Sequence, residues 1–168
     1  MSKFAEITPA DITANPFSMI GDQWMLITAE KEGRVNAMTA SWGGVGVLWG
    51  KKVAYIFIRP QRFTKEFVDA SATLSLCFMP ESQRANLKYF GSVSGRDEDK
   101  IAKTGLTVCH DGGTPYFGES DCVMICRKLY SQTLDPAGFV DQSIDAACYG
   151  AKDYHEVYVC EIEKVLKA

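Results

Sequence analysis

Short runs of alternating or continuously apolar residues recur along the chain, separated by glycine, proline and polar turns. Residues 23–29 (QWMLITA) and 35–42 (VNAMTASW) flank the polar turn Glu30-Lys-Glu-Gly33, which predicts an antiparallel hairpin. Residues 53–58 (VAYIFI) are apolar on both faces and predict a buried central strand that stops at Arg59-Pro60. Further strands are expected at 73–79, ended by Pro80, at 121–134 with an apolar first half and a polar second half, and at 155–166. Between them, a helix over 62–70 would carry Phe63, Phe67 and Ala70 as its apolar stripe. A second, over 81–90, turns Leu87 and Phe90 inward and ends at Gly91. A third opens on Asp97, Glu98 and Asp99, as the helix dipole prefers, and stops at Gly105. Residues 1–22 read as an irregular lead-in. The stretch 107–120 reads as short strands about a Gly112-Gly113 turn, and 135–149 as a helical or irregular excursion.

Hairpin-connected strands with short helices between them predict a mainly β fold, a closed or partly closed antiparallel barrel, rather than an alternating βαβ sheet. No internal repeat or linker divides the 168 residues, so one domain spanning 1–168 is expected. The net charge of −3 argues against a nucleic-acid duplex or an anionic membrane as main partner, although a local basic cluster can still hold a small anion. No apolar run has the length of a membrane span, and the opening MSKFAEITPADI lacks a signal-peptide pattern. Six cysteines without a C-x-x-C fit a reducing cytoplasm. With only His110 and His155 to join them, no metal site is expected.

The stretch 36–64, NAMTASWGGVGVLWGKKVAYIFIRPQRFT, concentrates the candidate chemistry. Asn36, Thr39 and Ser41 read as one polar face of an extended segment whose other positions, Ala37, Met38 and Ala40, are small or apolar. Gly43, Gly44 and Gly46 after Trp42 read as a turn. Arg62 and Thr64 fall at a helix opening, where free amides and the dipole favour an anion. The layout suits a flat polar ligand with a phosphate tail; a buried strand pair with a surface arginine is the plainer alternative. Trp24 and Trp49 read as core, whereas Trp42 sits where a strand opens and reads equally as core or as a ring flanking a ligand. No G-x-G-x-x-G follows a strand and no nucleophile motif is present, so no catalytic residue is assigned.

N-A-M-T-A-S-W-G followed by R-P-Q-R-F-T resembles the signature of the flavin reductase-like family. The block from Gly91 to Gly95 with Asp99-Lys100 and Gly105-Leu106 is similar to that family's S-G-x-x-x-D-K…G-L segment, and residues 153–162 resemble its closing D-H-x-x-x-x-G-E-V strand. Cys160 stands where the family commonly has glycine, and the short 137–153 region suggests a trimmed covering loop. The resemblance implies an FMN-binding split β-barrel of antiparallel, Greek-key type, usually a homodimer. It implies an oxidoreductase that passes electrons from NAD(P)H or a redox partner through the flavin. A non-catalytic FMN-binding protein of the same barrel, or a barrel that has lost the flavin, are the alternatives. In the implied site Arg62 and Thr64, with Arg59 as a second candidate, take the phosphate. Thr39, Ala40, Ser41 and Trp42 lie along the isoalloxazine, and Asn36 reaches the ribityl chain or ring. For Lys100 the resemblance implies contact with the phosphate or a ring edge; pairing with Asp97 or plain solvation is the alternative.

Overall fold

The expected 30–33 turn forms a two-residue hairpin. Glu32 and Gly33 adopt φ of 52° and 75°, the left-handed geometry that matches strand twist, and join β2 (Met25–Lys31) to β3 (Arg34–Ala40). The register runs from Met25 opposite Ala40 to Lys31 opposite Arg34. The computed structural model describes residues 3–168, so the part of the expected lead-in at residues 1–2 lies outside the described residues. The rest of that lead-in is more regular than expected. It holds β1 (Ala5–Ile7), a 3-10 turn at Pro9–Asp11 and a single π-helical stretch, Ser18–Gln23.

The glycine-rich segment is a strand, not a turn: β4 (Gly43–Leu48) pairs antiparallel with β5 (Lys51–Ile58). Of its glycines, Gly43 serves close packing. A Cβ on Gly43 would lie 2.8 Å from the Tyr55 carbonyl oxygen and 3.2 Å from the Met25 terminal methyl. The reversal comes later, at Trp49 (φ 53°) and Gly50 (φ 70°). Trp49 is therefore exposed at a hairpin tip beside Tyr130, not in the core, because a hairpin tip has no second layer to cover it. Trp24 is only partly buried, with Arg84 stacked 3.9 Å from its ring.

The remaining elements are α1 (Phe63–Ala70), β6 (Thr73–Phe78), α2 (Arg84–Ser92), α3 (Lys100–Thr104), β7 (Val108–Asp111), β8 (Thr114–Phe117), β9 (Cys122–Thr133), α4 (Gln142–Cys148) and β10 (Glu156–Lys167). Seven strands follow the order β3-β2-β6-β9-β10-β5-β4. β10 is the hub. One edge pairs along β9, and the other is shared by β5 over its first half and β1 over its last residues. No pairing joins β3 to β4 among the described residues, so the antiparallel barrel stays unclosed there, and Ser41 and Trp42 bridge the gap.

Side-chain alternation sorts two cores. Met25, Ile27, Met38, Ile56, Leu76, Met124 and Tyr158 fill the inside of the barrel. Leu26, Ala37, Val123 and Ile125 project outward and are covered by Leu87 and Phe90 of α2 and Phe117 of β8. α1 plugs the barrel with Phe67, Val68 and Thr64; Ala70, expected in that stripe, is exposed because a helix of 3.6 residues per turn carries Val68 to the inner face instead. Of the apolar positions expected in the 135–149 excursion, Val140, Ile144 and Ala147 are likewise exposed, and Phe139 is half-buried. Cys122 and Cys126 are buried thiols of β9, as its apolar half implied.

Candidate functional site

Where the barrel fails to close, a cleft of about 220 Å³ opens between the end of β3, the end of β5 and the start of β10. Met38 and Ala40 form its apolar floor, and Thr39, Ser41, Phe57, Arg59 and Arg62 line its walls. Trp42 and His155 line it side by side, their rings packed 5.3 Å apart. Trp42 is half exposed, so it is a wall of the cleft and not a core residue.

A second hollow of about 160 Å³ shares Arg62 with the first and continues over the start of α1. Its lining runs through Gln61, Phe63 and Thr64, the loop 91–95, and Lys100. Arg62 stands at the N-cap of α1 and supplies no side-chain acceptor; the Lys65 amide donates to the Arg62 carbonyl at 3.0 Å, and the Phe63 and Thr64 amides have no capping side chain. Thr64 is buried, and its Oγ1 accepts a hydrogen bond from Asn36 Nδ2 at 2.9 Å.

This places the expected residues in two groups. Thr39, Ala40, Ser41, Trp42 and Arg59 meet in the first cleft; Thr64 and Lys100 meet in the second; Arg62 belongs to both. Asn36 does not share a face with Thr39 and Ser41. The odd spacing sends it to the opposite side of β3, inward to Thr64, while Thr39 Oγ1 donates outward to the Leu87 carbonyl of α2. Arg59 faces Asp153 at 2.6 Å and also donates to the Cys148 carbonyl, so its charge is already balanced at the first cleft.

Arg62 and Lys100 differ from Arg59. Arg62 donates to the carbonyls of Gly91 (2.9 Å) and Phe90 (3.3 Å), and Lys100 to those of Ala37 (2.7 Å) and Phe90 (3.3 Å). Neither has a carboxylate partner among the described residues. Lys100 is neither solvated nor paired with Asp97. It is 4% exposed, and burial together with the Arg62 charge pushes its pKa down to about 8. Burial also lowers Arg62 from its ordinary value. Two desolvated cations sharing one backbone acceptor form a site short of negative charge. A larger hollow of about 510 Å³ adjoins Lys100, but Glu30, Glu98 and Asp99 line it together with Arg34 and His110, so it carries no excess of positive charge.

The loop 91–95 lines the second hollow, a role its glycines alone do not disclose. Gly95 has a packing cause: a Cβ there would lie 2.4 Å from Asn36 Oδ1 and 3.1 Å from the Phe63 ring. His155 is hydrogen-bonded, to the Tyr149 hydroxyl at 2.7 Å, and it also lines the cleft. Burial and the neighbouring Arg59 push its pKa down to about 4. The region 137–153, although short, supplies Cys148, Tyr149 and Asp153 to the rim.

Residues 17–167 match the family described as Flavin reductase like domain. The fold is similar to that of an FMN-binding domain of a flavin reductases-like enzyme from Shewanella baltica OS155 (TM-score 0.71, 15% identity, 99% of this chain and 78% of that one). It is also similar to flavoredoxin from Methanosarcina acetivorans (TM-score 0.68, 20% identity, 87% and 68%) and to flavoredoxin of Desulfovibrio vulgaris (Miyazaki F) (TM-score 0.68, 18% identity, 98% and 77%). At these identities the likeness establishes the fold, a split barrel. No protein of curated function matches the sequence.

Proposed function

The chain belongs to the flavin reductase-like domain family, and from that premise we propose that it binds FMN across the two adjoining hollows and acts as a flavin-dependent oxidoreductase. The observation that carries this reading is the pair of cations, the half-buried Arg62 and the buried Lys100, which converge on one hollow with no carboxylate among the described residues to balance them. A phosphate supplies that missing charge. The fit is chemical as well as electrostatic: a hydroxyl (Thr64), first-turn amides of α1 and two cations line one hollow.

In this reading Arg62, Thr64 and Lys100 hold the phosphate, and Asn36 acts through Thr64. The small floor of Met38 and Ala40 lets a planar ring approach the end of β3, with Ser41 at its polar edge, Trp42 against one side and Arg59 at the rim. Charge-assisted hydrogen bonds contribute roughly 1.5–3 kcal/mol each. Two of them with a buried ring reach about −8 kcal/mol, the free energy of a micromolar site. The bound flavin would supply hydride or electron transfer; the chain supplies position, exclusion of water and a fixed electrostatic field. A nicotinamide nucleotide or a redox protein serves as electron donor, and a homodimer in the cytoplasm is the expected setting. A non-catalytic FMN-binding protein of the same barrel is the competing reading.

The test is the absorption spectrum of the purified protein before and after adding FMN, followed by a steady-state assay of NADH and NADPH oxidation. A red-shifted, vibrationally resolved flavin band with donor oxidation supports the proposal. A bound flavin without turnover by any donor would leave the non-catalytic reading. An unchanged free-flavin spectrum would refute both.

A further inference from the structure

His155 is the single imidazole in the ring cleft, and its hydrogen bonding is determined by one neighbour. Tyr149 is buried, and its hydroxyl lies 2.7 Å from His155 Nδ1. Among the described residues no other acceptor stands within reach of the Tyr149 hydroxyl proton. A buried hydroxyl proton needs an acceptor, and Nδ1 is the one available. Nδ1 must then be the unprotonated nitrogen, which puts the ring proton on Nε2. Nε2 has no protein partner among the described residues and is not sealed from solvent, and His155 lines the cleft.

The surroundings keep the ring neutral. Arg59 stacks on Tyr149 at 5.1 Å and opposes an imidazolium. Asp153 would favour one, but its carboxylate is engaged by Arg59 and Gln61. Trp42 and Phe57 pack on the ring from the other elements, at 5.3 and 6.4 Å, and carry no charge. Arg62 is the remaining cation on the cleft, and the Cys148 thiol lies beside Tyr149.

We infer that Tyr149 is a positioning residue: its hydroxyl locks His155 as the neutral Nε2–H tautomer and so gives the cleft a fixed, uncharged hydrogen-bond donor. Such a donor suits a carbonyl oxygen or an unprotonated ring nitrogen of a planar ligand and discriminates against a second cation. It is a donor that does not titrate near neutral pH, not a general acid. That the planar ligand is a flavin ring, or the molecule stacked on it, rests on the proposed function; the tautomer does not.

The experiment is long-range ¹H–¹⁵N correlation of the imidazole nitrogens in the flavin-free protein. The chain has two histidines, so His110→Gln leaves one set of signals to assign. Between about pH 6 and 8 His155 should show a pyridine-like Nδ1 and a pyrrole-like Nε2, although an ordinary histidine titrates in that range. Tyr149→Phe should convert this pattern to a mixture of tautomers. It should also weaken riboflavin binding about three- to tenfold, the worth of one neutral hydrogen bond, with the FMN-to-riboflavin affinity ratio unchanged. An imidazolium or an Nδ1–H tautomer in the unsubstituted protein at neutral pH would overturn the inference, and so would an unaltered Nε2–H pattern in Tyr149→Phe. Failure of the unsubstituted protein to bind any flavin would refute the proposed function while these spectra still decide the role of Tyr149.

Discussion

Asn36 Nδ2 donates to Thr64 Oγ1 across 2.9 Å, tying the strand that floors the ring cleft to the helix that opens on the cation-rich hollow. Both residues are buried, so the bond is shielded from water. Because Oγ1 accepts here, the Thr64 hydroxyl proton remains free to donate to an anion. Asn36→Ala should therefore lower stability by about 1–2 kcal/mol, the cost of stranding a buried polar group. It should also weaken FMN binding more than riboflavin binding. Urea unfolding and parallel titrations check the two halves separately.

Gly95 lies against the same bond. An added methyl would sit 2.4 Å from Asn36 Oδ1, too close for any contact, with the Phe63 ring 3.1 Å away on the other side. Gly95→Ala is expected to cost about 1–3 kcal/mol by overpacking and to lose FMN affinity, since Asn36 can yield only by releasing Thr64. A stable Gly95→Ala protein with undiminished FMN affinity would count against the linkage.

The depressed pKa of Lys100 makes stability depend on pH. Folded, Lys100 titrates at about 8 against an ordinary 10.5, so between those values the unfolded chain binds the extra proton. Stability attributable to this group therefore rises with pH across that window, by on the order of 3 kcal/mol in full. Below pH 8 the penalty for burying the charge is complete. Lys100→Met should flatten this rise in denaturation measurements from pH 7 to 10. A bound phosphate favours the charged lysine, so FMN affinity should fall as pH climbs past about 8, with proton uptake on binding; riboflavin affinity should stay level.

Gly43 tests the architecture rather than the site. It begins β4 where its Cα faces the Tyr55 carbonyl of β5, and a Cβ there would lie 2.8 Å from that backbone oxygen. A backbone atom cannot swing aside as a side chain can. Gly43→Ala should destabilise by about 1–3 kcal/mol, whereas the same change at Gly46, whose nearest neighbour would be the Tyr55 ring at 3.7 Å, should be close to neutral.

Much of this was legible in the sequence, and the failures share a cause. The 30–33 turn, the two-part character of β9 and the inward Leu87 and Phe90 follow from local rules of turn chemistry and periodicity, and the structure shows them. Local rules also place Arg62 and Thr64 at a helix opening. They mislead where a distant partner decides. Gly43–Leu48 is a strand because β5 supplies its ladder, although its composition reads as a turn. Trp49 is exposed because nothing returns over the hairpin tip. Arg59 looks equivalent to Arg62 in sequence, but Asp153, ninety-four positions away, neutralises only Arg59. Lys100 is burdened by burial against β3 and α2, which no count of charges around residues 97–100 discloses. Asn36 is a simpler case, since counting parity along β3 from Thr39 sends it inward.

The most direct measurement is a comparison of FMN and riboflavin affinities, which differ only by the phosphate, for the unsubstituted protein and for Arg62→Ala. Flavin fluorescence quenching reads both. If Arg62, Thr64 and Lys100 grip the phosphate, FMN should bind at least about a hundredfold tighter than riboflavin, and Arg62→Ala should remove at least about tenfold of that difference while changing riboflavin affinity little. Equal affinities of the unsubstituted protein for the two flavins would contradict the assignment of Arg62 and Lys100 to a phosphate.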